Sequence, residues 1–291
     1  MKPAPFAYHR VASRDEAFAL LDRHGDEARL LAGGQSLVPM LNLRIARVGH
    51  LVDINPLGEL DFVRPADGAI EVGALTRHVT LERSELVRRA CPILAAAAHR
   101  IGHLAIRERG TLGGSLALAD PAAELPMIAT LLDADLELGS SRGSRSIGAR
   151  AFFVAMLTTA LQPNEVLIRA RFPALAPGEG FGLRALSRRA GDFAIVMAGA
   201  TVRLDDRHRV GHVRLALGGA APTPLALTRL ERVQQGTTPD ADWPDAVAAV
   251  AAAEVEPHGD QHASAEHRRE LVRVLLARAL RDALARADAG G

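Results

Sequence analysis

The chain reads as an α+β protein in two unequal parts, and three observations predict this. Through about residue 176, short helical and strand patterns alternate around two glycine-rich stretches, Ala32–Leu37 and Gly110–Ser115. Pro173-Ala174-Leu175-Ala176-Pro177-Gly178-Glu179-Gly180 then reads as a linker. Beyond it three strand patterns come in succession and helices follow, an order that suits a small antiparallel sheet packed with helices. At 291 residues the chain is long enough for two domains, and an apolar fraction of 48% supports a proper core.

The elements follow in order. Ser13-Arg14-Asp15-Glu16 is a capping box, and Ala17, Leu20, Leu21 and His24 keep helical spacing up to Gly25, which predicts a helix over 13–24. Residues 28–32 form a short apolar strand that runs into Gly33-Gly34-Gln35-Ser36. A connection is expected over 42–48, a strand over 51–54, and a hairpin of 60–64 with 69–73 around Asp67-Gly68. A short helix follows over 76–82 and a longer, alanine-rich one over 91–103. Asp120-Pro121 reads as the N-cap and first residue of a helix over 121–132. Strands near 134–138 and 166–172 complete the first part. The second part holds strands over 182–187, 194–204 and 210–218, then helices near 224–235 and 243–253. Ser264 caps a final amphipathic helix carrying Leu271, Val274, Leu275, Ala279 and Leu280, and the tail from Ala287 is expected to fray.

Composition removes several function classes. A net charge of +1 and 3% aromatic residues offer neither the field nor the stacking surface that nucleic acid requires. No signal peptide or membrane span is expected, since no apolar run approaches roughly 18 residues. One cysteine, Cys91, fits a reducing cytoplasm and excludes an iron–sulfur cluster or cysteine-rich zinc site held by this chain alone. Lys2 is the only lysine, so a Walker A loop is impossible and a lysine Schiff base is not expected. No Gly-x-Gly-x-x-Gly stands between a strand and a helix, which argues against a nicotinamide dinucleotide fold. The pairs His99/His103, His208/His212 and His258/His262 have spacings that suit zinc, yet no third ligand is evident and no metal is expected. Arg142, Arg145 and Arg150 read as a solvated loop face.

The glycine stretches carry the chemistry. Paired glycines reach positive φ and bring backbone close to a ligand, and successive N–H groups in such a turn form an anion nest. Two such loops suit a diphosphate with two ends.

Ala32-Gly33-Gly34-Gln35-Ser36-Leu37, Leu51-Val52-Asp53-Ile54, and Thr111-Leu112-Gly113-Gly114-Ser115 with Asp120-Pro121-Ala122-Ala123-Glu124 resemble one family closely. Gly191-Asp192-Phe193-Ala194 and Ser264-Ala265-Glu266-His267-Arg268-Arg269 extend the match over nearly the whole chain. The family is the FAD-binding medium subunit of molybdenum hydroxylases, in particular the carbon monoxide dehydrogenase type. The resemblance implies a two-lobed FAD-binding domain of the PCMH type over 1–176, with a lobe boundary near 57, and a C-terminal flavoprotein domain over 177–291. It implies FAD on this chain, and the molybdenum cofactor and [2Fe-2S] clusters on partner subunits in a dimer of heterotrimers. The cofactor set it implies is Ala32, Gly33, Gly34, Gln35, Ser36, Leu37, Thr111, Gly113, Gly114, Ser115, Glu124, Leu167, Arg184 and Phe193, with no catalytic residue on this chain. Relatives often carry a lysine around Arg184–Arg188, so Arg184 or Arg188 would substitute. The final-helix motif usually has a tyrosine where His267 stands. Rival readings are a stand-alone FAD-dependent reductase and a non-catalytic assembly protein.

Overall fold

The computed structural model describes residues 2–289. Its first lobe consists of β1 (Ala7–Arg10), α1 (Arg14–His24), β2 (Ala28–Leu31), α2 (Leu37–Asn42) and β3 (His50–Asp53). The three strands are parallel, in the order β1-β3-β2. Ser13 caps α1 by accepting from the Glu16 N–H, and the Glu16 carboxylate reaches back to the Ala12 N–H at 2.8 Å. Ala17, Phe18 and Leu21 of α1 then meet Val11, Ala28 and Val52 in a small core. Two elements escaped the sequence reading. Ala-Tyr-His-Arg in β1, exposed except at His9, shows no apolar alternation, and α2 forms despite Pro39, which costs no helical hydrogen bond in a first turn.

The second lobe contains β4 (Val63–Ala66), β5 (Ala69–Gly73), α3 (His78–Arg83), α4 (Glu85–Ala90), α5 (Pro92–Arg100), α6 (Leu104–Arg107), α7 (Leu112–Leu118), α8 (Glu124–Leu132), β6 (Asp135–Ser140), β7 (Gly143–Gly148), α9 (Ala149–Phe152), β8 (Phe153–Ala155), β9 (Thr158–Thr159) and β10 (Val166–Pro173). Its antiparallel sheet has the order β4-β5-β10-β6-β7, and α5, α7 and α8 bury leucine and alanine faces in one core with it. The helix expected over 91–103 is broken, because α5 ends at Arg100 and Gly102 turns with φ +50°. The helix expected from 121 begins at Glu124. Asp120 caps a preceding turn instead, accepting from the Ala122 N–H at 2.9 Å. The arginines share no loop face: Arg145 pairs with Glu165 at 2.6 Å, while Arg150 sits on α9 and donates to the Thr130 carbonyl.

The C-terminal part contains β11 (Glu179–Leu186), β12 (Val196–Leu204), β13 (Val210–Gly218), β14 (Leu225–Ala226), α10 (Thr228–Gln234), α11 (Trp243–Glu254) and α12 (Ala265–Ala289). The sheet runs β11-β12-β13-β14, one short strand more than expected, with β14 taking the start of the segment read as a helix. α12 continues through Ala287 to Ala289, and the rest of the tail expected to fray lies outside the described residues. β12 is buried on both faces: Val196, Ala198 and Ala200 pack toward α11 and α12, while Met197 joins the core of the second lobe. Among the described residues no helix is long and apolar enough to cross a membrane.

Contact between α12 and β11 depends on absent side chains. A Cβ on Gly182 would overlap the Ala279 carbonyl, and one on Gly180 the Ala283 carbonyl. Gly182→Ala should therefore lower unfolding free energy by about 1–3 kcal/mol. Gly58→Ala is the comparison, because no atom lies within 4 Å of the added carbon. It should stay within about 0.5 kcal/mol of wild type in guanidinium unfolding.

Candidate functional site

Gly33 and Gly34 follow β2 after Ala32, and the chain turns at Gly34 with φ +71° before α2 begins. Gly33 rests on the second glycine stretch: a Cβ there would overlap the Arg109 carbonyl oxygen and lie 2.8 Å from the Gly110 Cα. A run of polar side chains fixes that contact. Asn55 Nδ2 donates to the Ala32 carbonyl at 2.8 Å, and Arg77 donates both to Asn55 Oδ1 at 2.8 Å and to the Arg109 carbonyl. From the next residue, the His78 N–H donates to the Gly110 carbonyl at 3.0 Å and Nε2 to the Thr111 carbonyl at 2.9 Å. Burial pushes the His78 imidazole down to about 4, so it is neutral at physiological pH and donates from Nε2. Below Asn55, Asp53 accepts its backbone N–H at 3.0 Å, its Nδ2 at 2.6 Å, and the Tyr8 hydroxyl at 2.5 Å. Burial opposes the charge on Asp53, but the Tyr8 and Asn55 hydrogen bonds and nearby Arg10 outweigh it and hold the carboxyl below the usual range.

The two glycine stretches are not chemically equivalent. Thr111 caps α7, so Gly113 and Gly114 stand in a helical turn and not in a loop. The N–H groups of Leu112, Gly113, Gly114 and Ser115 donate to the Thr76 carbonyl, the Ala74 carbonyl, the Thr111 hydroxyl and the Thr111 carbonyl. In the first stretch, by contrast, the N–H groups of Gly33, Gly34, Gln35 and Ser36 donate to no acceptor among the described residues. The expectation of two matched nests is corrected accordingly: a run of successive free backbone donors belongs to the first stretch, and the N–H groups of Leu112 to Ser115 are all taken. Gly113 is a glycine for packing, with Ala74 2.6 Å from any added Cβ. Gly114 presents an open edge, where an added Cβ would meet only the Thr111 hydroxyl, at 2.8 Å.

Both stretches open on one cleft of about 850 Å³. Ala32, Gly33, Gly34, Gln35, Ser36, Leu37, Thr111, Gly113, Gly114, Ser115, Glu124, Leu167 and Phe193 all line it. Phe193 enters from the C-terminal part, 56% exposed on the loop before β12 and outside the core. Gly191, with φ +86°, brings that loop against Gly102, where an added Cβ would stand 2.9 Å from the carbonyl oxygen. Buried Arg268 of α12 ties the loop's end by donating to the Ile195 and Gly219 carbonyls, and it pairs with Asp260 at 2.7 Å.

Arg184 stands apart from this group. Its guanidinium makes a two-pronged pair with Asp282 at 2.6 and 2.8 Å on a separate cleft of about 590 Å³, because strand alternation turns it toward α12. Arg188 is exposed and lines neither cleft. Sequence reasoning missed Asn55, Arg77 and His78 as the fasteners of the site. Only Asn55, two residues beyond Asp53 in the quoted motif, carried a signal; the partners of Arg77 and His78 lie 32 and 33 residues away. The proposed histidine pairs do not gather into ligand sets. His99 binds Glu82 at 2.8 Å, and α5 ends before His103.

Residues 4–175 match the family described as the FAD binding domain in molybdopterin dehydrogenase, and residues 182–283 match the CO dehydrogenase flavoprotein C-terminal domain. The chain belongs to the FAD-binding medium subunits of the molybdenum hydroxylases. These subunits are components of multi-subunit oxidoreductases. The flavoprotein subunit is 38% identical over 99% of its length, and 97% of the relative's, to the 6-hydroxypseudooxynicotine dehydrogenase complex subunit alpha of Paenarthrobacter nicotinovorans. Carbon monoxide dehydrogenase from Hydrogenophaga pseudoflava superposes with a TM-score of 0.95 at 36% identity, covering 98% of this chain and 99% of that one. Quinoline 2-oxidoreductase from Pseudomonas putida 86 gives a TM-score of 0.93 at 34% identity, covering 99% of each.

Glu124 is the buried acid of the cleft, and burial raises its carboxyl to about 7. A raised folded-state pKa means the folded protein holds the proton more tightly than the unfolded chain. The resulting stabilisation is complete below about pH 4.5 and is lost as pH rises through about 7. In flavin-free protein, Glu124→Gln should therefore gain on wild type between pH 5 and pH 8, by up to roughly 3 kcal/mol. Paired denaturant titrations at the two pH values measure the gap, and an unchanged gap would refute the assignment.

Proposed function

We propose that the cleft holds FAD, and that the chain passes electrons from iron–sulfur clusters on a small partner subunit to the final acceptor. In this reading a large partner subunit carries the molybdenum cofactor, the complex is a dimer of heterotrimers, and it works in the cytoplasm. The proposed division is 1–176 and 177–291, with a lobe boundary near 57; the family matches over 4–175 and 182–283 support it. The observation that carries the proposal is the unsatisfied donor set of Gly33–Ser36, on the same cleft as the open edge of Gly114.

Bound FAD supplies the electron chemistry, and the protein orients it and sets its surroundings. The Gly33, Gly34, Gln35 and Ser36 N–H groups satisfy diphosphate oxygens at close backbone approach, with the Ser36 and Ser115 hydroxyls as further donors. Ala32, Leu37 and Leu167 supply apolar contact, and Thr111 holds the α7 end in place. Glu124 would accept or donate a hydrogen bond near the ribose or pyrophosphate end, according to its protonation. Phe193 would lie against the flavin ring and limit access of water to it.

Mass spectrometry of the heat-released cofactor should give FAD, and FMN alone would refute the two-ended site. Gly114→Val should abolish FAD retention, since it places a branched side chain on the cleft's open edge; retention at the wild-type level would move the ligand elsewhere. Phe193→Ala should keep FAD bound yet alter the flavin absorption envelope and reduction potential. An unchanged spectrum and potential would remove Phe193 from the ring.

A further inference from the structure

Outside the cleft, three histidines far apart in sequence converge on the first lobe. β1 and β3 are parallel neighbours with Ala7 opposite His50, so His9, two residues on, points to the same sheet face as His50. Val11, just beyond the end of β1, and Val52 of β3, each two residues past its histidine, meet Ala17, Phe18 and Leu21 of α1. α1 therefore covers the face, and its last residue, His24, comes down beside the other two.

His9 Nε2 lies 2.9 Å from His50 Nδ1, and the His24 and His50 rings stack with centroids 3.5 Å apart. One ring nitrogen from each histidine falls within 4.8 Å of the other two. All three side chains are half-buried, backed by the lobe core and open to solvent on one side.

We propose that His9, His24 and His50 form a binding site for a divalent transition metal, zinc in the first instance, with the fourth position left to water. Imidazole nitrogen suits zinc, nickel and copper, and three histidines with an open position make a complete zinc ligand set. Zinc–nitrogen bonds of about 2.0–2.1 Å place tetrahedral ligand atoms roughly 3.3 Å apart, against 2.9 Å between His9 and His50 and no more than 4.8 Å among the three. Between His9 and His50 a single proton now bridges two facing nitrogens, and the metal takes its place once each ring carries its proton on the far nitrogen. None of the three histidines lines the large cleft, so the site is separate from the proposed FAD site. Bound metal would pin β1 and β3 to the end of α1, immediately before the strand that leads into Gly33.

The test uses tag-free, full-length protein with its cofactor as isolated, stripped with chelator and passed through gel filtration in zinc-containing buffer. Wild type should retain one zinc per chain, and its melting temperature should rise with zinc concentration. His9→Gln, His24→Asn and His50→Asn should each weaken zinc affinity by more than about 10-fold, since even outer-shell partners are worth that much. The control His99→Asn/His258→Asn should bind as wild type. X-ray absorption of zinc-loaded wild type should show three imidazole ligands, a readout independent of whether any variant folds. No zinc retention, retention indifferent to the three substitutions, or fewer than three imidazoles would overturn the proposal. FAD content measured on the same samples separates this outcome from any failure of the cofactor assignment.

Discussion

The architecture depends on one backbone contact, Gly33 against Arg109 and Gly110. No side chain fits between them, so any residue other than glycine would force the two lobes apart at the mouth of the cleft. The contact joins polar backbone segments, and apolar burial alone would not set its register. Directional hydrogen bonds do that: Asp53 orients Asn55, Asn55 holds the Ala32 carbonyl and accepts from Arg77, and Arg77 holds the Arg109 carbonyl. Each of these groups is costly to leave unpaired once withdrawn from water, so the network is stable as a whole or not at all.

This arrangement explains why the two glycine stretches diverged in chemistry. The second is built into α7, whose first turn uses its N–H groups on Thr76, Ala74 and Thr111. That makes it a rigid wall. The first follows a strand, turns at Gly34, and leaves its donors without internal acceptors. One side of the cleft is thus shaped by packing and the other is chemically unsatisfied, an asymmetry that gives a bound anion a defined orientation.

The C-terminal part completes the cleft from a distance. Glycines in β11 let α12 approach, and Arg268 near the start of that helix grips the loop end at Ile195 and the turn at Gly219. Gly191 then sets the loop on Gly102, and Phe193 is presented to the cleft from outside the first two lobes. A change in α12 packing would reach the cleft by that route, through contiguous backbone contacts.

The sequence by itself determined the α+β class, the capped first helix, the strands read at 28–32 and 194–204, and the glycine motifs, because each rests on local pattern or short-range backbone preference. Ser13 and Ser264 worked as caps, since a cap needs only its neighbours three residues on. Tertiary structure decided what lies far apart in the chain. It showed that Asp120 caps a turn and not a helix, that Asp282 holds Arg184 away from the large cleft, and that β1 is a strand only because β3 offers it an edge. It also gathered His9, His24 and His50, while the regularly spaced pairs at 99/103 and 258/262 stayed apart from any ligand set. Spacing along a chain predicts proximity only within one helix or strand. Between elements, proximity follows from sheet register and from where backbones lacking side chains can touch.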